Sequence, residues 1–575
     1  MLITRADWLV LISYFAIVAA IGVVASLRVR GTNEYFLGGR RFGKLVMMGQ
    51  VFSTGTHAEM PVSLIGAVYS IGASGIWYQW KNLFATPFFW ILAPVVRRFR
   101  RTTTAEVMED RYGPWMGGIY TLFAVGFLII NTAAMLKGAG KVINQAAGGT
   151  FGVNHIVLAM TATFIVYSFL GGLVASAWTD VLQGFLIIVL SFLLIPLGWS
   201  TVGGMAGMKS TLLPSQLSLA TPHGVGIWAI VVLTVNGLIG IMAQPHIPAA
   251  VGTGKNERAC RVGFFYGNYI KRVCTAGWAL LGLMVAVMVM KGSFGTRTLA
   301  DPEDAFGFVC GHVLFSGVRG LLIACVLAAT MSTCAAFLVD SGALFTQGFY
   351  RTRLMPGRPD HYYLWVGRAS GLLITLAGVV YSLLFVKQVL NSFLLTESMA
   401  TYMGICIVGG VVWKRANRWG AVTGLFAALG TNLLLCNLEH RRLDYWSPRI
   451  FALAFTAGIV SLVVISLLTP PEPQSDVELF FARLQTPSDA SPVDGVSQPP
   501  DGVDDKRWQG LSREPSREYA EKGQQLILVN LFNLRGVTCG VNFFRAYRAD
   551  LSGLAFGSAL VVILVAGFWS LLRLI

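Results

Sequence analysis

The chain has 575 residues, 55% of them hydrophobic and only 13% charged, with a mean hydropathy of +0.63; a soluble protein of this size could not hide so much apolar surface. The net charge of +16 does not point to nucleic acid, because Lys and Arg fall in short clusters between apolar runs, as in cytoplasmic loops. The eight cysteines have neither metal-ligand nor redox spacing and read as apolar fillers; with no nucleophile–base set or metal motif, the chain does not read as an enzyme.

A first apolar span from Trp8 to about Leu27 is too long for a signal-peptide core. It is followed by Arg28, Arg30, Arg40, Arg41 and Lys44, so residues 1–44 read as an additional helix and a basic inner loop, with the N-terminus outside. The next segment, Leu45 to Ile71, is interrupted by Ser53-Thr54-Gly55-Thr56-His57-Ala58-Glu59-Met60-Pro61. A lipid-facing helix would not carry that run at mid-depth, whereas an unwound helix lining a cavity can. Gly75 to Val96 carries Gln79 and Asn82 and ends in Arg97, Arg98, Arg100 and Arg101. Trp115 to Gly138 crosses outward and Ile156 to Phe169 returns. A Gly171-Gly172-Leu173 link leads to Trp178-Thr179-Asp180 and a span to Leu197. Ile227 to Ala250 is a second interrupted span, broken at Asn236-Gly237, Gly240 and Gln244-Pro245-His246.

The span from Tyr269 to Met290 and an outer loop precede Leu321 to Val339, where Ser332 and Thr333 sit side by side in an apolar run. Two readings of that pair stand. The hydroxyls bond back to carbonyls one turn earlier, or they complete an oxygen cage around a small hard cation. Spans follow at 369–386, 390–413, 421–436 and 450–468. Residues 470–550 turn polar and rich in Pro, Ser, Asp and Glu; they read as a cytoplasmic linker, partly disordered, with Gln524 to Phe544 as an amphipathic helix at the membrane face. A last helix covers 551–575. The total is an all-α, multi-pass cell-membrane protein of about 14 helices. The two broken spans open residues 45–200 and 201–413, groups of five that enter the bilayer from opposite sides. Paired broken helices of this kind mark an inverted-repeat transporter with its site at mid-membrane; residues 414–469 add two further helices.

Several motifs occur in order between residues 34 and 421. They are Glu34-Tyr35-Phe36-Leu37-Gly38-Gly39-Arg40, Thr104-Ala105-Glu106 through Arg111-Tyr112-Gly113, Gly171-Gly172-Leu173 with Trp178-Thr179-Asp180-Val181-Leu182-Gln183, and Trp413-Lys414-Arg415 with Gly420-Ala421. Together they resemble the sodium:solute symporter family of bacterial proline and pantothenate carriers and sodium/glucose transporters. The resemblance implies a leucine-transporter-type fold, sodium as coupling ion with no other cofactor, and alternating-access import of a small solute. It also implies that Ala328-Ala329-Thr330-Met331-Ser332-Thr333 is a sodium-site motif. The implied ligands are the Ala329 carbonyl, the Ser332 and Thr333 hydroxyls, and carbonyls freed at Ser53 and Thr56. All are neutral oxygens, which suits a monovalent ion that must also leave. Relatives with a second sodium use the signature acid, here Asp180, with two hydroxyls where this chain has Ala335 and Ala336, so one sodium per cycle is expected. Asp180 reads equally as a helix N-cap or an ion-pair partner near the inner surface.

Solute-binding candidates are His57, Glu59, Gln79, Asn82, Gln244, His246 and Lys271. Neutral amides and imidazoles both donate and accept, and Lys271 resembles a lysine that sugar carriers place at this helix, which favours a sugar or polyol. Gln244-Pro245-His246-Ile247 instead resembles the proline branch, so an amino acid or carboxylate is the alternative. Lys271 and Arg272 also read as side chains snorkelling to the inner surface, and Glu397 as a gate, a ligand or a helix cap. A membrane solute sensor is the alternative of another class.

Overall fold

The computed structural model describes residues 3–26, 31–442, 445–488, 517–532 and 540–575. Among them nine helices are long and apolar enough to cross a membrane, and three shorter apolar helices accompany them. The principal elements are Arg5–Ser26 (α1), Lys44–Thr54 (α2), Glu59–Ile71 (α3), Thr86–Arg98 (α4), Thr104–Tyr112 (α5), Pro114–Ala146 (α6), Val153–Phe192 (α7), Ile227–Gly240 (α8), His246–Gly252 (α9), Glu257–Met290 (α10), Val318–Phe345 (α11), Asp360–Leu384 (α12), Val389–Val412 (α13), Arg418–Leu438 (α14), Pro448–Leu468 (α15), Gln474–Gln485 (α16) and Arg548–Leu574 (α17). The Gly171-Gly172-Leu173 link expected between two spans is itself helical, inside α7.

Both expected interruptions are present. Helix α2 stops at Thr54, Gly55 leaves helical geometry, and α3 starts at Glu59. Helix α8 stops at Gly240 and α9 starts at His246. Gly55, Pro61 and the Gln244-Pro245 pair supply the breaks, because proline lacks a donor and glycine holds a helix weakly.

Lipid gives helices no hydrophobic reason to associate, so close approach at small residues does more of the work. A Cβ on Gly342 of α11 would fall 2.3 Å from the Gly367 carbonyl of α12, and one on Gly371 of α12 would fall 2.3 Å from the Leu338 carbonyl of α11. Polar caps fix the ends. The Asp7 carboxylate of α1 accepts from Gly317 N at 2.8 Å and Gly320 N at 2.7 Å, which satisfies free amides at the start of α11. Thr103 and Glu106 form a capping box on α5. Arg111 of the same helix donates to the carbonyls of Gly410, Trp413, Lys414 and Ala416, anchoring α5 to the α13–α14 link.

The polar C-terminal region departs from expectation. Helix α16 is ordered and buries Leu479, Phe480, Phe481 and Leu484. Its Arg483 pairs with Asp110 of α5. Arg98, at the end of α4, pairs with Glu257 at 2.8 Å and donates to the Leu484 and Gln524 carbonyls. The amphipathic helix expected over Gln524 to Phe544 is absent where it is described: 524–526 have no regular structure, 527–532 form turns and only Phe543–Ala546 is helical, while 533–539 lie outside the described residues. Within the expected polar linker, residues 489–516 lie outside them as well. Helix α17 seats against α4 and α10, with Asp550 paired to Arg261 at 2.6 Å and Trp90 Nε1 donating to the Ala549 carbonyl.

Candidate functional site

The break between α2 and α3 presents two faces, and each collects a different set of groups. On one side it meets α11 and α7. Ser53 Oγ lies 2.7 Å from Ser332 Oγ. Thr333 Oγ1 reaches the carbonyls of Thr54 at 3.2 Å, Ala329 at 3.4 Å and Ser53 at 3.5 Å. Thr333 therefore does make the backward contact of a membrane hydroxyl, but it also spans to α2. Ser332 makes no such contact and instead donates to Asp180 Oδ1 at 2.7 Å. Ser53, Thr56, Ala329, Ser332 and Thr333 are all essentially buried. Thr56 Oγ1 has no partner among the described residues, and the Thr56 amide donates to the Ser53 carbonyl at 3.2 Å.

Asp180 is not a helix N-cap, and among the described residues it is not half of an ion pair. It lies well inside α7. Among the described residues its carboxylate meets no cation; it accepts from Ser332, from Thr54 Oγ1 at 3.3 Å and from Ser176 Oγ at 3.4 Å. A fully buried carboxylate held by three hydroxyls, beside the Ser53 and Thr333 hydroxyls and the carbonyls that Thr333 reaches, offers the kind of oxygens that a hard monovalent cation takes. In the sequence Thr54 stands only as part of the interrupting run and not as an expected ligand, and Ser176 belongs to no motif singled out there. The signal that marks them is adjacency: Thr54 follows Ser53, and Ser176 precedes Asp180 by one helical turn.

On its other side the break lines a small cavity. Its walls include Gly55, His57, Gln79, Asn82, Gln244, His246, Lys271 and Glu397, with Phe127, Asn131, Ile241, Asn268 and Phe393. Six of the seven solute candidates line it. The seventh, Glu59, stands behind His57, whose Nδ1 meets Glu59 Oε1 at 2.5 Å and whose Nε2 donates to the Thr54 carbonyl. The space measures about 20 Å³, room for roughly one water, so a solute needs these walls to part. Four buried wall atoms have no partner among the described residues: Gln79 Nε2, Asn82 Oδ1, Asn131 Oδ1 and His246 Nδ1. Buried polar atoms are normally satisfied, and four around one cavity mark it as built for a polar guest.

Lys271 and Arg272 do not snorkel. Both are buried; Lys271 Nζ donates to the Gly55 carbonyl at the break, and Arg272 donates to the Gln79 carbonyl at 3.0 Å. Glu397 neither caps its helix nor stands alone. It pairs with Lys81, a residue that no sequence motif marks, and accepts from Gln244 Nε2 at 3.0 Å on both oxygens. Phe337 of α11 packs on His246 at 4.9 Å between ring centroids and faces His57. The helix that carries Ser332 and Thr333 thus also touches the cavity wall.

The model of the sodium:solute symporter family matches residues 35–428. The chain belongs to that family. It is 25% identical over 496 residues to the high-affinity proline transporter PutP of Bacillus subtilis (strain 168), covering 80% of this chain and 98% of that protein. It is 28% identical over 461 residues to sodium/proline symporter 2 of Staphylococcus saprophyticus, covering 73% and 84%. A substrate-bound, outward-open Na+-coupled sialic acid symporter shares the fold at a TM-score of 0.69 and 19% identity, with 82% of this chain and 99% of that one covered. The chain is therefore a sodium-coupled membrane transporter with the leucine-transporter-type fold, not an enzyme.

Proposed function

We propose that the chain imports a small carboxylate-bearing solute, an amino acid of the proline type, with one sodium per cycle. The observation that carries the solute class is Lys271. It is a buried lysine on the cavity wall that donates to the Gly55 carbonyl and makes no ion pair among the described residues. Lys81, by contrast, is already matched by Glu397. A carboxylate solute would supply the missing anion, which a neutral sugar could not. The proline transporters among the relatives favour the same choice over the sugar or polyol expected from the amide-rich wall.

For the ion, the reading assigns sodium to the carbonyls of Ser53, Thr56 and Ala329 and the hydroxyls of Ser332 and Thr333, with Asp180 as an added carboxylate partner. Ala335 and Ala336 leave Asp180 without the further hydroxyls of a second site. Sodium joining α2 to α11 also fixes the Gly55–His57 wall of the cavity. Ion and solute thereby raise each other's affinity equally.

The test is uptake of radiolabelled L-proline, other amino acids, organic acids and glucose into proteoliposomes under an inward sodium gradient. Sodium-driven accumulation of L-proline or another carboxylate is expected. Sodium-driven accumulation of glucose alone would return the assignment to sugars, and binding without accumulation would make the chain a sensor.

A further inference from the structure

Arg272 of α10 carries a charge that nothing described above answers. It is 1% exposed. Its Nη1 donates to the Gln79 carbonyl, and its own carbonyl accepts from Trp80 Nε1, both at 3.0 Å. Among the described residues it makes no ion pair, and its Nε and Nη2 are enclosed without a hydrogen-bond partner. A guanidinium stays charged when buried and carries five N–H donors, and leaving it unpaired is costly. The tie to Gln79 uses one edge of the group. The free pair, Nε with Nη2, is the fork that grips a carboxylate side-on. Arg98 uses that same fork on both oxygens of Glu257, at 2.8 and 3.1 Å.

The wall that Arg272 braces is irregular. The short helix Trp77–Trp80 gives way to turns over 81–85 before α4 begins at Thr86. Gln79 and Asn82, on either side of that change, line the solute cavity. Lys81 between them is matched by Glu397 and lies 3.5 Å from Asn236 Oδ1 of α8. Asn82 packs on the next residue of α8, where a Cβ on Gly237 would fall 2.0 Å from Asn82 Oδ1. Asn236 is 1% exposed, and its Nδ2 has no partner among the described residues. On α10, Arg272 follows the cavity residue Asn268 by four positions and so shares its side of the helix. Arg272 and Asn236 therefore approach the 79–82 segment from two helices. The unanswered atoms they and Gln79 leave are all N–H donors: Arg272 Nε and Nη2, Asn236 Nδ2 and Gln79 Nε2.

We propose that Arg272, with Gln79 and Asn236, binds a second small anionic group, separate from the carboxylate assigned to Lys271. The group is a second acid on the solute or a free halide, since both offer one negative charge to N–H donors. Lys81 already has Glu397, and Glu59 already meets His57, so Arg272 is the cation left to be matched; this count rests on the reading that gives Lys271 a solute carboxylate.

The test is thermal unfolding of the purified full chain in detergent at constant sodium, for wild type, Arg272→Gln, Arg272→Lys and Asn236→Leu. Chloride is titrated in place of gluconate without solute, and L-aspartate and succinate are compared with L-proline in gluconate. Saturable protection by chloride, with a half-saturating concentration raised at least about tenfold in Arg272→Gln, identifies a free halide. Protection by L-aspartate or succinate at concentrations at least about tenfold below those of L-proline, with the difference lost in Arg272→Gln, identifies a second acid on the solute. Arg272→Lys keeps the charge without the fork and should fall between wild type and Arg272→Gln. Asn236→Leu should weaken the same anion by a smaller factor, which keeps the proposal testable if Arg272→Gln fails to fold. Anion titrations that coincide in wild type and the variants, or no protection of wild type by chloride and no preference for diacids, would overturn it. Chloride protection through Arg272 with no protection by any carboxylate would remove the carboxylate reading and leave this site standing. Protection by L-proline that is unchanged in every variant, without a chloride effect, would do the reverse.

Discussion

Ser53 and Ser332, 279 residues apart in the chain, meet oxygen to oxygen at 2.7 Å. The contact fastens the end of α2, at its break, to the unbroken helix α11, and any opening between them must part these two side chains or place an ion between them.

Ser332→Ala combined with Thr333→Ala removes both side-chain oxygens that α11 brings to the site. The half-saturating sodium concentration for uptake should rise roughly 10- to 100-fold, about 1.4–3 kcal/mol for two lost polar ligands. A sodium titration of initial uptake rates checks this. An unchanged titration would remove the pair from the ion site.

Asp180→Asn keeps the size of the side chain and loses its charge. Sodium affinity should fall about tenfold, since charge-assisted contacts are roughly twice as strong as neutral ones. Solute KM at saturating sodium should change little. The discriminating readout is sodium protection against thermal unfolding, which Asp180→Asn should weaken without abolishing the fold.

Lys271→Met tests the solute anion. For L-proline, KM should rise tenfold or more, about 1.5–3 kcal/mol for a hydrogen-bonded charge. The sodium constant should stay within about threefold, and Lys271→Arg should recover part of the loss. If proline KM is unmoved, Lys271 is a structural tie to the Gly55 carbonyl.

The buried pair of Lys81 and Glu397 gives a stability prediction. Lys81→Met leaves Glu397 with Gln244 as its remaining partner and should cost about 3–5 kcal/mol. Lys81→Met with Glu397→Leu should cost markedly less, because no charge is then stranded. Thermal unfolding in detergent distinguishes the two.

The breaks in the two unwound helices are legible in the sequence because irregular, polar backbone at membrane depth is tolerated only where it lines a cavity or packs inside protein. The same cue brings His57, Gln79, Asn82, Gln244 and His246 to one cavity. Pairing over long separations leaves no such local mark. Lys81 sits between Trp80 and Asn82 with nothing nearby to announce Glu397, and Asp180 is joined to Ser332 across 152 residues. Lys271 and Arg272 mislead in the opposite direction. Two adjacent cations suggest an interface, yet each meets a buried carbonyl, Gly55 for one and Gln79 for the other. Helix α16 is hidden by its polar surroundings; its aromatic pair Phe480-Phe481 makes it pack.

Asp180 among neutral oxygens also bears on which half of the cycle responds to voltage. With its carboxylate ionised, the site carries one negative charge when vacant and none with sodium aboard. A membrane potential of 100 mV acts on a full elementary charge with about 2.3 kcal/mol. The ion site's share of that force then falls on the return of the vacant carrier and not on the loaded inward step. Asp180→Asn would move that share to the loaded step, visible as a loss of voltage dependence in the empty-carrier return and its gain in the uptake step.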